Sequence, residues 1–144
     1  MGTINRFEDL KCWQHAREFC KLIFDFIRKE PFLNDYALRN QINSSSGSAM
    51  DNIAEGFERG GRKEFIQFLG IAKASVGETR SQLYRAFDRK YINETEFNQG
   101  VELAEQVSRT TKGLINYLNV SDIKGVKYKV EEDESKYGLD AFEI

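Results

Sequence analysis

The sequence predicts an all-α protein: an antiparallel, up-down-up-down four-helix bundle over residues 1–119, followed by an extended C-terminal tail at 120–144. Three observations carry this expectation. Apolar residues recur at a period of about 3.6 along most of the chain, as an amphipathic helix requires. The only proline, Pro31, leaves long helices open on either side of it. Turn-forming residues fall at three short intervals, and connections of a few residues set neighbouring helices antiparallel.

The first helix is predicted from Glu8 to Lys29, with Leu10, Trp13, Cys20, Ile23, Phe24 and Ile27 as its core stripe. Pro31 and the pair Asn34-Asp35 break it. The second runs from Tyr36 to Phe57 on a face of Leu38, Ile42, Ala49, Ile53 and Phe57, and is ended by Gly56, Gly60 and Gly61. The third covers Arg62 to Asp88, with Phe65, Phe68, Leu69, Ala72, Val76, Leu83, Ala86 and Phe87. Asn93 followed by Glu96 reads as a capping-box variant opening a fourth helix, which carries Phe97, Val101, Ala104, Val107, Thr111, Leu114, Ile115 and Leu118. Beyond Asn119, Val126, Tyr128 and Val130 alternate ahead of the acidic run 131–134, and Phe142 and Ile144 close the chain. The short, charged segment reads either as a mobile tail or as an extended arm docked on the bundle or a neighbouring subunit; because those apolar residues are surplus in a solvating segment, at least partial packing as an arm is expected.

Composition narrows the function. The 144 residues are 40% apolar and 31% charged, which places the chain with globular single domains and excludes low-complexity classes. No apolar run approaches the roughly 18 residues of a membrane span, and no signal-peptide core opens the chain. Two cysteines without an export signal imply a cytoplasmic protein with free thiols. The net charge is -2; residues 1–119 hold 17 basic and 16 acidic side chains, and the tail holds 4 and 7. The near-neutral bundle makes no global electrostatic case for nucleic acid.

Catalysis is mostly excluded by counting. A di-metal carboxylate bundle needs two Glu-x-x-His motifs, and His15 is the only histidine. Cys12, His15 and Cys20 share one helix and cannot close a tetrahedral zinc site. There is no phosphate-binding loop and no dinucleotide fingerprint. The expectation is a protein without catalytic residues, metal or cofactor.

The informative polar residues recur at helical spacing: Gln41, Ser45, Ser48, Asn52 and Glu55 on the second helix, and Ser75, Glu78 and Gln82 on the third. Gly47, Ala49, Gly70, Ala74, Gly77 and Ser81 flank them, and small residues let backbones approach and desolvate polar neighbours, which must then bond one another. A structural inter-helix network is expected, with Gln41, Asn52, Glu55, Ser75 and Glu78 among its members.

The stretches FEDLKCWQHA (7–16), YALRNQI (36–42) and DNIAEGFERGGRKEFIQFLGIAKASVGE (51–78) resemble the four-helix-bundle family named for 23S rRNA intervening sequences. The family also looks related to the accessory variability proteins of diversity-generating retroelements. The resemblance covers residues 5–119 and implies a bundle that assembles into a barrel-shaped homopentamer. In the retroelement relatives it implies a basic surface for nucleic acid and a reverse transcriptase. This chain departs where relatives carry a basic pair followed by alanines: Asn43, Ser44, Ser45, Ser46 and Gly47 stand there instead. The loss weakens a nucleic-acid role and lowers helix propensity locally.

Two classes of function follow. The first is a non-enzymatic assembly or adaptor module, its partner a second copy or another protein, and no membrane. Cys12, Phe19 and Phe26 at seven-residue spacing, with Leu22 beside them, form a second apolar stripe on the first helix: either that helix is more deeply buried, or, the reading preferred here, the stripe is its oligomer interface. The alternative is an accessory protein that contacts RNA or DNA phosphates. Arg59, Arg62 and Lys63 of the ERGGRK loop are the better contact candidates, and Arg28, Lys29, Arg89 and Lys90 at the other end are the weaker ones.

Overall fold

A computed structural model describes residues 4–120 of the protein. A 3₁₀ turn at Phe7–Asp9 leads into α1 (Lys11–Ile27), and a second at Phe32–Asn34 leads into α2 (Tyr36–Glu58). Then follow α3 (Arg62–Asp88) and α4 (Glu94–Val120), with no strand among the described residues. The tail reading, with Val126, Tyr128, Val130, Phe142 and Ile144, lies outside them.

The helix α1 is shorter than its sequence pattern. Glu8 belongs to the 3₁₀ turn, where its carbonyl accepts from the Gln14 amide at 2.9 Å. Leu10, in extended backbone and buried, begins α1 instead, while the Trp13 ring meets the Phe7 ring edge-on at 5.1 Å. The buried face of α1 is Cys12, Ala16, Phe19, Ile23, Phe26 and Ile27. Spacings of four and three make Cys12, Ala16, Phe19, Ile23 and Phe26 one seam of the kind that faces a bundle core. The expected interface of Cys12, Phe19 and Phe26 is therefore corrected: these three line the core, and α1 has no surplus stripe. Omitting Ala16 from the pattern and admitting Phe24, which is 58% exposed, rotates the apparent face. Burying a phenylalanine contributes about 1.5–3 kcal/mol, so a charge at Phe19 would unfold the bundle rather than separate one copy from another. Leu22, half-buried, remains at the surface in a groove with Leu103 of α4.

Each helix packs on two others: α1 on α2 and α4, and α3 on α2 and α4. The contacts run in inverse order along neighbours. On α2 and α3, Gln41 meets Arg85, Ser45 meets Gln82, Ser48 meets Ser75, and Gly56 lies against Phe68. On α3 and α4, Leu83 lies against Gly100 while Arg62 reaches the Leu118 carbonyl. The core between the four helices holds Phe19, Phe57, Phe65, Leu69, Leu83 and Tyr117, all essentially inaccessible.

Local signals place the helix ends. Asn93 Oδ1 accepts from the Glu96 amide at 2.8 Å while Glu96 Oε1 accepts from the Asn93 amide at 2.9 Å, a reciprocal capping box. The last turn of α3 closes through Tyr91 N to Ala86 O and Lys90 N to Phe87 O, both 2.9 Å, with Lys90 at φ 63°. Gly60 takes φ 84° after α2, as a turn glycine should. Gly56 does not end α2 as expected from the sequence. It is buried inside the helix, where a Cβ would stand 2.6 Å from Phe68 Cβ. The serine-rich stretch at 43–47 is helical throughout, because Ser46 Oγ donates to the Ile42 carbonyl at 2.8 Å and Ser45 is held by α3.

Candidate functional site

The polar residues of α2 and α3 meet in a seam between the two helices. Ser45 Oγ donates to Gln82 Oε1 at 2.6 Å and lies 2.7 Å from Thr79 Oγ1; all three residues are buried. Thr79 also bonds the Ser75 carbonyl at 2.9 Å. One turn along, Ser48 and Ser75 hydroxyls are 2.9 Å apart, and Asn52 Nδ2 donates to the Ser48 hydroxyl at 2.9 Å and its carbonyl at 2.8 Å. Asn52 and Ser75 are thus brought together through Ser48. Gln41 sits at the exposed end of the seam and accepts from Arg85 Nη1 at 3.0 Å. Glu55 lies apart, ion-paired to Arg59, and Glu78 is exposed on the rim beside Ser44 and Ser48. The sequence pattern does not single out Thr79, although it falls four residues after Ser75 and three before Gln82, on the same face.

The ERGGRK loop is less cationic than its composition. Arg59 pairs with Glu55 at 2.9 Å and Glu64 at 3.7 Å, and its guanidinium lies 5.0 Å from the Phe68 ring centre. Arg62 Nη1 donates at 2.9 Å to the Leu118 carbonyl, so it caps the last turn of α4, where a cation is favoured by the helix dipole. Lys63 is exposed at the start of α3. At the other end, Arg28 pairs with Asp25 at 3.4 Å and Arg89 with Asp35 at 2.8 Å. Lys29 and Lys90 are exposed there, interleaved with the exposed acids Glu30 and Asp88.

Cys12 is buried, and His15 and Cys20 are half-buried, all on α1. Burial pushes the Cys12 thiol up to about 12 and the Cys20 thiol up to about 11, and the Cys20 thiol donates to the Ser46 carbonyl at 3.1 Å. Neither thiol carries appreciable thiolate near neutrality. His15 Nδ1 lies 3.4 Å from Thr110 Oγ1, on the α1–α4 side and away from the α2–α3 hydroxyls. Among the described residues no group of three or more His, Cys, Asp or Glu is placed to hold a metal ion, and no helix is long and apolar enough to cross a membrane.

Four packed helices with an inter-helix hydroxyl and amide seam define the class: an all-α helical scaffold with polar side chains bound to one another between two of its helices. The family model described as 23S rRNA-intervening sequence protein matches residues 8–113, and the chain belongs to that family. No curated protein matches the chain significantly.

Proposed function

We propose that the protein is a non-enzymatic, homo-oligomeric assembly or adaptor module of the cytoplasm, built on an antiparallel up-down-up-down bundle. The inverse order of contacts along neighbouring helices supports that topology. One observation carries the functional reading: the side chains able to do chemistry are engaged in holding helices together. The Ser45, Thr79 and Gln82 side chains are bound to one another, the thiols are protonated, and the loop arginines serve Glu55, Glu64 and the end of α4. A homopentamer is the assembly that the family resemblance implies, and the relation to the retroelement accessory proteins belongs to the same reading. Light scattering on the full chain at micromolar concentration tests it, with a multiple of the chain mass expected; the mass of one chain would overturn it.

The alternative is an accessory protein that contacts RNA or DNA phosphates. Its support is exposed Lys63, in the first turn of α3 beside a glycine-containing loop that an oligomer would repeat, turning a weak contact multivalent. An electrophoretic shift against structured RNA and duplex DNA over a salt series separates the two readings.

A further inference from the structure

The helical glycines fall into two kinds. At Gly56 a Cβ would stand 2.6 Å from Phe68 Cβ, and at Gly100 2.8 Å from Leu83 Cδ1, so packing within the chain demands both glycines. At Gly70 and Gly77 no neighbouring atom comes within 4 Å of a Cβ, and both residues are exposed in the middle of α3. A mid-helix glycine costs roughly 1 kcal/mol relative to alanine, and no described residue accounts for these two, nor for half-buried Gly47 of α2. With exposed Ala74 and Ser81 they form a smooth face at spacings of four, three and four residues, over about 16 Å of helix at 1.5 Å per residue. Exposed Tyr84 continues it.

The residues around this face complement themselves in reverse. If a second α3 crosses antiparallel between residues 75 and 76, Ala74 faces Gly77 of the second copy, Gly70 faces Ser81, and Gln67 faces Tyr84. At the ends Lys63 meets Asp88 of the second copy, and on one flank Glu64 meets Arg85, opposite charges in each case. Lys73 and Arg80 fall on the other flank, where like charges on long side chains separate into water. Small residues at the crossing and opposite charges at the ends are what a close, register-fixed antiparallel helix pair requires.

We propose that two copies of this chain pack α3 against α3 about a two-fold axis, with Gly70, Ala74, Gly77 and Ser81 at the crossing. The inference rests on the assembly reading and specifies a contact for it. A five-membered ring joins unlike patches, whereas this face pairs with itself, so it couples two chains or two rings.

Cysteine pairing tests the register. Gly70→Cys and Ser81→Cys chains mixed under mild oxidation should yield a cross-linked dimer, while each alone should not, because like positions lie about 16 Å apart along the axis, beyond disulfide reach. Ala74→Glu with Gly77→Glu, both exposed, should halve the mass in solution while helical circular dichroism is retained. An oligomer whose mixed cysteine chains do not cross-link, or an unchanged mass in the double variant, overturns the α3 contact and leaves the assembly reading standing. A fall of more than two-fold overturns the two-fold geometry. A single-chain mass for the unaltered protein overturns both readings.

Discussion

The Tyr91 hydroxyl donates to Asp35 Oδ2 at 2.8 Å, tying the connection before α2 to the one after α3. The same oxygen accepts from Arg89 Nη1 at 2.8 Å, while Oδ1 caps α2 by accepting from the Leu38 amide at 3.2 Å. These donors, Tyr91 first, hold the Asp35 carboxyl below its ordinary value of 3.8. A depressed folded-state value means that the carboxylate stabilises the fold above pH 3.8 and that this contribution fades as pH falls through the lower folded value. Asp35→Asn keeps an N-cap but loses the charge-assisted bonds, and should cost about 1 kcal/mol at pH 7 once solvent screening is discounted. Urea melts of both proteins from pH 7 to pH 2 should show the gap closing below about pH 4.

Gly56 and Gly100 should respond to alanine in unequal measure. Both substitutions gain about 1 kcal/mol in helix propensity. At Gly56 the new methyl meets Phe68 Cβ, which moves only with the α3 backbone. At Gly100 it meets Leu83 Cδ1, the end of a side chain that can rotate. Gly56→Ala should therefore be destabilising by about 1–3 kcal/mol net, in the range of core overpacking, and Gly100→Ala close to neutral. Thermal melts of the two variants measure the difference, and equal shifts would contradict it.

How far the sequence speaks depends on which signal a feature leaves. Punctuation is legible: Arg62 and Asp88 bound α3 as expected, and the Asn93–Glu96 pair forms its box. These are local effects, set by residues three or four apart. The rotation of α1 is not legible, because seven apolar residues from Phe19 to Ile27 and Trp13 admit more than one stripe, and only the partner helices decide which is inside. The seam is half legible. Serines beside glycines signal close approach, yet Gln41, Glu55 and Glu78 share the period and stay at the rim, since long polar chains reach water from positions where Ser45 and Thr79 cannot. The role of Arg62 leaves no local sign, because its acceptor lies 56 residues away.

Ser45 is the buried donor on which Gln82 depends, so its removal should cost more than its size suggests. Ser45→Ala leaves the Gln82 carbonyl without that donor and Thr79 without its 2.7 Å neighbour. An unsatisfied buried polar group costs about 1–3 kcal/mol, and that range is expected here. Replacing all three together, with Ser45→Ala, Thr79→Val and Gln82→Leu, removes partners and dependants at once. That variant should recover most of the loss, as apolar replacement of a polar cluster often does. Denaturant midpoints of the single and triple variants decide the matter: a triple variant no more stable than Ser45→Ala would mean that the seam is held by something other than mutual satisfaction.

The pairing of the loop charges sets the expectation for nucleic acid. A phosphate must displace Glu55 and Glu64 to reach Arg59, and must draw Arg62 away from the end of α4. Both competitors are already in place, so each phosphate contact yields less than an unpaired cation would supply. Lys63 is the clean probe, since it is exposed and its removal leaves the cap on α4 intact. Counterion release makes any such binding fall steeply with salt. Retardation of structured RNA or duplex DNA should therefore be absent near 150 mM salt, where surface charges are screened beyond about 8 Å. Lys63→Ala should leave helical circular dichroism unchanged, since the side chain is exposed. A complex that persists at that salt and is lost in Lys63→Ala would give the loop a phosphate-binding role, and would place the accessory reading ahead of the assembly one.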